Sequence, residues 1–275
     1  MLRLWRDRLF AAIEPDRLVL VRIHGRLRPQ VVAKSIVPVL RTAGGWKPAV
    51  ETLAKVLLAD RQWQETEVQA VLSNDFVRYQ RIPWSAEITN AEEREAYVRQ
   101  SFAQVYGDGI AEWTYAVSGT GRGAAWLAGA VDRSLLAQLD AAVAPARSKL
   151  VSVMPHLMPA FNSARRRIKE RDLWFVQLEK DQLLLMLILG GRWQAISRRH
   201  IQDQQWQTEL PLLLDREWRL KGSGQAPRSV VISAPEAHQA ALDGAGKWVF
   251  HWLRPALRYG FSGQADAPYA TALGA

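Results

Sequence analysis

Residues 13–25 read IEPDRLVLVRIHG, and residues 178–190, which lie 165 positions further on, read LEKDQLLLMLILG. Placed in register, Glu14 meets Glu179, Asp16 meets Asp181 and Gly25 meets Gly190, with apolar runs between them. A self-match at a fixed offset constrains a fold more than composition does, because both copies must build the same supersecondary unit. Each copy spells strand, turn, strand, and neither turn contains a glycine.

The likeness continues downstream of the hairpins. In the first copy, strands are expected at Leu9–Ile13, Leu18–Ile23 and 30–39, from their β-branched and apolar content. The stretch WKPAVETLAKVLLA (46–59) then places Val50, Leu53, Ala54 and Leu57 at helical spacing, and EVQAVLS (67–73) reads as a further strand. In the second copy, strands are expected at Leu173–Leu178, Gln182–Leu189 and Trp193–Ser197, then a helix at about 203–220 and a strand at 228–233. Both copies therefore run β-β-β-α-β.

The middle of the chain follows a different order. FVRYQRIPW (76–84) alternates like a strand, and Thr89–Glu92 has the form of a capping box opening a helix that runs to Gly107. Two strands joined by GTGRG (119–123) come next, then a helix rooted at Asp132, the strand KLVSVMP, and a helix leading into the arginines. These residues predict an inserted subdomain at about 76–131. The first half is expected over 1–150 and the second over 151–275.

Charge and composition exclude several classes of function. The chain of 275 residues has no cysteine, so disulfides and thiolate metal sites are ruled out. The longest strongly apolar run, Leu183–Leu189, is far short of the ~20 residues that span a bilayer. The charged amino-terminal stretch lacks a signal-peptide pattern, so a cytoplasmic protein is expected. The net charge of +9 is spread along the chain apart from ARRRIKER, which holds Arg165, Arg166 and Arg167. At helical spacing that cluster reads as a solvated face, and no nucleic-acid motif accompanies it. The histidines at 24, 156, 200, 238 and 251 lack zinc-site spacing. Ser73 and Asp75 in VLSND have no nearby histidine in sequence and no nucleophile-elbow glycines. The 12 tryptophans read mainly as core, with Trp248 and Trp252 at the i, i+4 spacing of a packed helix.

The duplicated β-β-β-α-β units, with an insertion in the first half, resemble the actin-like, or ribonuclease-H-like, superfamily of ATPases. VLSNDFVRYQRIPW, the helix Glu92–Val105, WLAGAVDRSLLAQLDAAV and LVSVMPHLMPAF are most similar to its PilM and GspL branch, in type IV pili and type II secretion. The closing DAPYATALGA looks like the last helix of PilM-type proteins. The resemblance implies an α/β fold, a duplicated ribonuclease-H-like (actin-like) fold with an inserted α+β subdomain.

It also implies roles for the opening hairpins. In nucleotide-binding members they are the phosphate loops, an acid followed by glycines that let backbone N–H groups approach phosphate. Here the turns are EPDR and EKDQ, and ISAPEAH stands where a glycine pair near the adenine belongs. The expectation is therefore a degenerate cleft, with no cofactor, no metal and no enzymatic activity. Glu14, Asp16, Glu179 and Asp181 occupy the degenerate phosphate-loop positions. Four carboxylates could hold a divalent ion, but turn capping is the simpler reading.

By the same resemblance, the partner is a cytoplasmic segment of an inner-membrane pilus or secretion protein, or the assembly ATPase. Arg78, Tyr79, Arg81 and Trp84, on the strand entering the inserted subdomain, are candidate contacts, as are Arg165, Arg166 and Arg167. Ordinary sheet-face positions are the alternative for the first four. Two other functions compete with the scaffold: an active ATPase or sugar-kinase-like enzyme with atypical loops, and a basic nucleic-acid-binding protein using 165–171.

Overall fold

The computed structural model describes residues 7–25, 27–42, 45–119, 121, 123–201, 206–236, 242, 246–253, 260–261 and 264–273. The chain divides into two compact units: Met1–Arg78, Val131–Ser163 and Pro255–Ala275 form the first, Tyr79–Ala130 and Ala164–Arg254 the second. The expected division at residue 150 falls inside a strand of the first unit. The inserted subdomain also groups with the second repeat and not with the first.

In the first unit, β1 (Arg8–Ile13), β2 (Arg17–His24), β3 (Gln30–Pro38), β4 (Glu67–Leu72) and β8 (Lys149–Pro155) form one sheet in the order β3-β2-β1-β4-β8. β1, β2 and β3 pair antiparallel, whereas β4 and β8 join in parallel. That parallel ladder is why β8 belongs here and why a boundary at 150 cannot hold. The crossover between β1–β3 and β4 is α1 (Lys47–Ala59), which buries Ala49, Val50, Leu53 and Leu57 along one stripe.

The inserted residues supply β5 (Arg78–Ile82), α2 (Ala91–Tyr106), β6 (Trp113–Ser118) and β7 (Trp126–Asp132). Their sheet runs β5-β7-β6, leaving β5 and β6 at its edges. The cap of α2 begins one residue later than the sequence pattern suggests. Asn90 Oδ1 accepts from Glu93 N at 2.9 Å, and Glu93 Oε2 accepts from Thr89 N at 2.7 Å. An asparagine is at least as good an N-cap as a threonine, so the box closes over Asn90–Glu93. α3 (Arg133–Val143) follows, capped by Asp132 as expected, and α4 (Leu157–Arg165) comes after β8.

The second unit repeats the design. β9 (Leu173–Glu179), β10 (Gln182–Leu189), β11 (Arg192–His200), β12 (Ser229–Ser233) and β13 (Val249–Leu253) form a sheet in the order β11-β10-β9-β12-β13. α5 (Trp206–Lys221) is its crossover helix. The hairpin registers agree across the offset: Ile13 pairs with Leu18 and Phe10 with Val21, as Leu178 pairs with Leu183 and Phe175 with Met186. The irregularity between β2 and β3 falls at Arg22/Ile23, and that between β10 and β11 at Leu187/Ile188, again 165 residues on. Gly25 and Gly190 both take positive φ, +77° and +59°, where a side chain would be strained. The repeat is thus one of backbone geometry as well as of letters.

Trp248 and Trp252 correct a sequence expectation. β13 is a strand and no helix runs there; Trp252 meets Trp206 edge-on at 5.7 Å. A spacing of four lies on one face of a strand as well as of a helix, so the pattern alone did not separate them. The closing residues do end in a helix, the short α6 (Ala270–Leu273), and it sits in the first unit against Ala12, Val19, Val21 and Ile23. Lys34 of β3 holds that segment by an ion pair to Asp266 and lies over the rings of Phe261 and Tyr269, at 5.3 and 5.2 Å. No helix among the described residues is long and apolar enough to cross a membrane.

Candidate functional site

The two opening hairpins are the first place to look, because their turns repeat an acidic pair. In the β1–β2 turn, Glu14 N donates to Arg17 O at 3.1 Å and Arg17 Nε donates back to Glu14 Oε2 at 2.6 Å. In the β9–β10 turn, Gln182 Nε2 donates to Glu179 Oε2 at 3.1 Å. Each glutamate is therefore tied to the residue three positions on within its own turn. The aspartates repeat one another too. Asp16 O accepts from Val39 N at 2.7 Å, and Asp181 O accepts from Ile201 N at 2.9 Å, each just past the end of the third strand.

Each turn has one backbone feature of its own. Pro15 has no N–H to donate. Lys180 sits in the left-handed region at φ +29°, a conformation that glycine adopts freely and a lysine does not. The second turn keeps the glycine geometry without the glycine. No three histidine, aspartate or glutamate side chains come together to hold a metal ion among the described residues. In the stretch ISAPEAH, β12 ends at Ser233 and a turn follows at 235–236; His238 lies outside the described residues.

The candidate contacts on β5 have intramolecular partners. Arg78 Nη1 donates to Asp75 O at 3.1 Å, and Arg81 Nε donates to Trp193 O on β11 at 3.1 Å. Burial pushes the Tyr79 phenol well above its ordinary pKa; the charge of Glu179 adds to this and Arg198 opposes it. Trp84 packs against the core of the inserted subdomain, where Ile82, Val98, Phe102 and Trp126 are buried. Arg81 thereby ties β5 to β11, and Tyr79 lies within electrostatic reach of the hairpin acid Glu179.

Arg165, Arg166 and Arg167 are exposed, and they do not form a helical face. α4 stops at Arg165, and Arg167 N and Ile168 N both donate to Ala164 O, at 2.8 and 3.1 Å. The cluster is the C-terminal cap of a helix, where cations complement the orphan carbonyls and the dipole. In VLSND, Ser73 Oγ accepts from Asp75 N at 3.1 Å, and the buried Asn74 caps Leu157 N at 3.2 Å. GTGRG lies between β6 and β7, with Gly121 and Gly123 at φ +114° and +78°; its Thr120 and Arg122 lie outside the described residues.

Sequence reasoning missed one buried polar group altogether. Glu217 of α5 is fully buried and accepts from Ser197 Oγ and from Arg199 of β11, while Lys221 Nζ lies 3.0 Å from it. Burial opposes its ionisation, but the three donors outweigh that and hold its carboxyl below the usual glutamate pKa. Only the i, i+4 pair with Lys221 was visible in the sequence. Arg199 lies 18 residues away and meets Glu217 only because β11 and α5 pack.

No family model matches the chain, and no curated protein matches its sequence. Solved structures do match. A chain of the PilM–PilN type IV pilus biogenesis complex aligns with a TM-score of 0.69 at 17% identity, over 97% of this chain and 96% of that one. The cytoplasmic domain of EpsL, an inner-membrane component of the Vibrio cholerae type II secretion system, aligns at 0.62 and 11%, over 98% and 94%. A Bacteroides thetaiotaomicron protein of actin-like ATPase fold and unknown function aligns at 0.60 and 10%, over 98% and 96%. The fold is actin-like. The PilM–PilN chain and the EpsL domain share it over nearly their whole length, and the two five-stranded sheets are its duplicated halves.

Proposed function

We propose that this chain is a non-enzymatic assembly scaffold of a type IV pilus or type II secretion-like machine, with a degenerate nucleotide cleft. The wiring of the two hairpins supports this most. At the phosphate-loop positions of an actin-like fold, both glutamates are spent inside their own turns, one backbone donor is missing at Pro15, and a side chain occupies Lys180.

Each charge-assisted hydrogen bond forfeited to phosphate costs roughly 1.5–3 kcal/mol. Two or three such losses take a micromolar site to about the millimolar range or beyond. Calorimetry with ATP and magnesium is expected to give no binding heat at physiological nucleotide concentration, and no hydrolysis should follow. A micromolar dissociation constant, abolished by Asp16→Ala or Asp181→Ala, would overturn the scaffold reading and restore an ATPase.

The partner in this reading is the cytoplasmic segment of an inner-membrane pilus or secretion protein, or the assembly ATPase, and it holds the chain at the inner membrane. Arg165, Arg166 and Arg167 then serve as surface cations and not as a nucleic-acid site. Their binding to duplex DNA is expected to be weak, indifferent to sequence and lost as salt rises. A sequence-selective complex at physiological salt, lost on replacing the three arginines, would favour a nucleic-acid function instead. Pull-down with purified cytoplasmic segments of pilus and secretion inner-membrane proteins is expected to retain at least one of them.

A further inference from the structure

The sheet β5-β7-β6 ends in an edge strand without the usual protection. β6, Trp113–Ser118, contains no charge and no proline, and it is built from Trp, Thr, Tyr, Ala, Val and Ser. Soluble proteins blunt their edges with lysine, proline, bulges or covering segments. Four of the five other edges carry such devices: β3 has Lys34 and Pro38, β8 has Lys149 and Pro155, β11 has three arginines, and β5 has two. β13 is closely flanked by Lys247 and by Pro255. On β6, Thr114, Ala116 and Val117 are exposed, and Val105 and Tyr106 at the end of α2 are exposed as well.

The electrostatic setting of this strand is also unusual. In a chain of net charge +9, residues 79–130 carry six acidic and four basic residues. The acids are Glu87, Glu92, Glu93, Glu95, Asp108 and Glu112, all exposed; Asp108 and Glu112 lie in the short 3-10 helix, Gly107–Glu112, that leads into β6. A second copy of this chain would bring a second acidic subdomain against the first, which like-charge repulsion disfavours. A basic segment meets complementary charge instead.

We propose that β6 is a strand-addition site that takes an extended, net-basic segment of another protein. The added strand completes the ladder on the free side of β6 through main-chain hydrogen bonds, and alternate side chains fall on either face. Apolar residues lie toward Val105, Tyr106 and Val117, and basic residues answer Asp108 and Glu112. The inference deepens the scaffold reading and rests on it for the existence of such a partner.

The test uses the full chain and two acetylated, amidated eight-residue peptides, one alternating valine and lysine, the other valine and glutamate. Amide exchange is followed at β6. The lysine peptide is expected to protect β6 amides and to bind at least about tenfold more tightly than the glutamate peptide, with the difference shrinking as salt rises. Ala116→Lys should weaken the lysine peptide by a similar factor, and Ala116→Glu should not; position 116 is exposed, so both variants keep the fold. Absence of protection at β6, or equal binding of both peptides, overturns the proposal. So does a concentration-dependent dimer with β6 protected and no peptide present. If β6 fails while the pull-down still retains a partner segment, the scaffold reading stands and this inference alone falls; if β6 binds and the pull-down retains nothing, the reverse holds.

Discussion

Glu217→Ala is expected to destabilise the second unit by about 3–5 kcal/mol, seen as a lower denaturant midpoint at unchanged slope. The carboxylate is fully buried, and removing it leaves Arg199 and Lys221 facing one another without the anion between them. Glu217→Gln is expected to lose less, because the amide oxygen still accepts a hydrogen bond. The wild-type contribution also has a definite pH window. The folded pKa lies below the ordinary value of about 4.3, so the stabilisation is complete above that value and is lost as pH falls through the folded one. A variant with the same midpoint as wild type at neutral pH would mean that the cluster is dispensable.

Phe102→Ala is the second large effect, about 3–5 kcal/mol and confined to the inserted subdomain. Phe102 is fully buried between α2 and the sheet, with ring centroids of Tyr115 at 5.2 Å, Tyr106 at 5.9 Å and Trp113 at 6.2 Å. Truncation removes the centre of that cluster and leaves a cavity that the three remaining rings cannot close. Hydrogen exchange is expected to accelerate across α2 and β6, while β1 and β2 keep their protection. Uniform acceleration over the whole chain would show that the subdomain does not open on its own.

Strand–turn–strand order and crossover helices were legible in the sequence because apolar alternation and helical spacing report which face is buried. The duplicated register was legible for the same reason, since Leu178–Leu183 must pair wherever Ile13–Leu18 does. Positions that depend on remote packing were not legible. Arg81 reaches the carbonyl of Trp193, and Arg199 meets Glu217, only after β11 has found its neighbours. The allocation of β8 to the first sheet depends on a parallel pairing with β4, about 80 residues earlier in the chain, and no local period announces such a partner. The edge character of β6 was hidden in the same way, for a strand becomes an edge only when the sheet order is known.

The passage of the chain between its two units has a consequence for synthesis. The backbone crosses from one unit to the other four times, at 78/79, 130/131, 163/164 and 254/255. On a ribosome, β1 and β2 emerge early, yet the apolar face of Val19, Val21 and Ile23 is covered only when Tyr269, Ala272 and Leu273 arrive. All the residues between are therefore made before the first unit can close, and that face stays open for about ten seconds or more of elongation. Such a nascent chain is a natural client for a chaperone that shields apolar strands. A product that stops before Gln264 would leave that apolar face of the sheet permanently open.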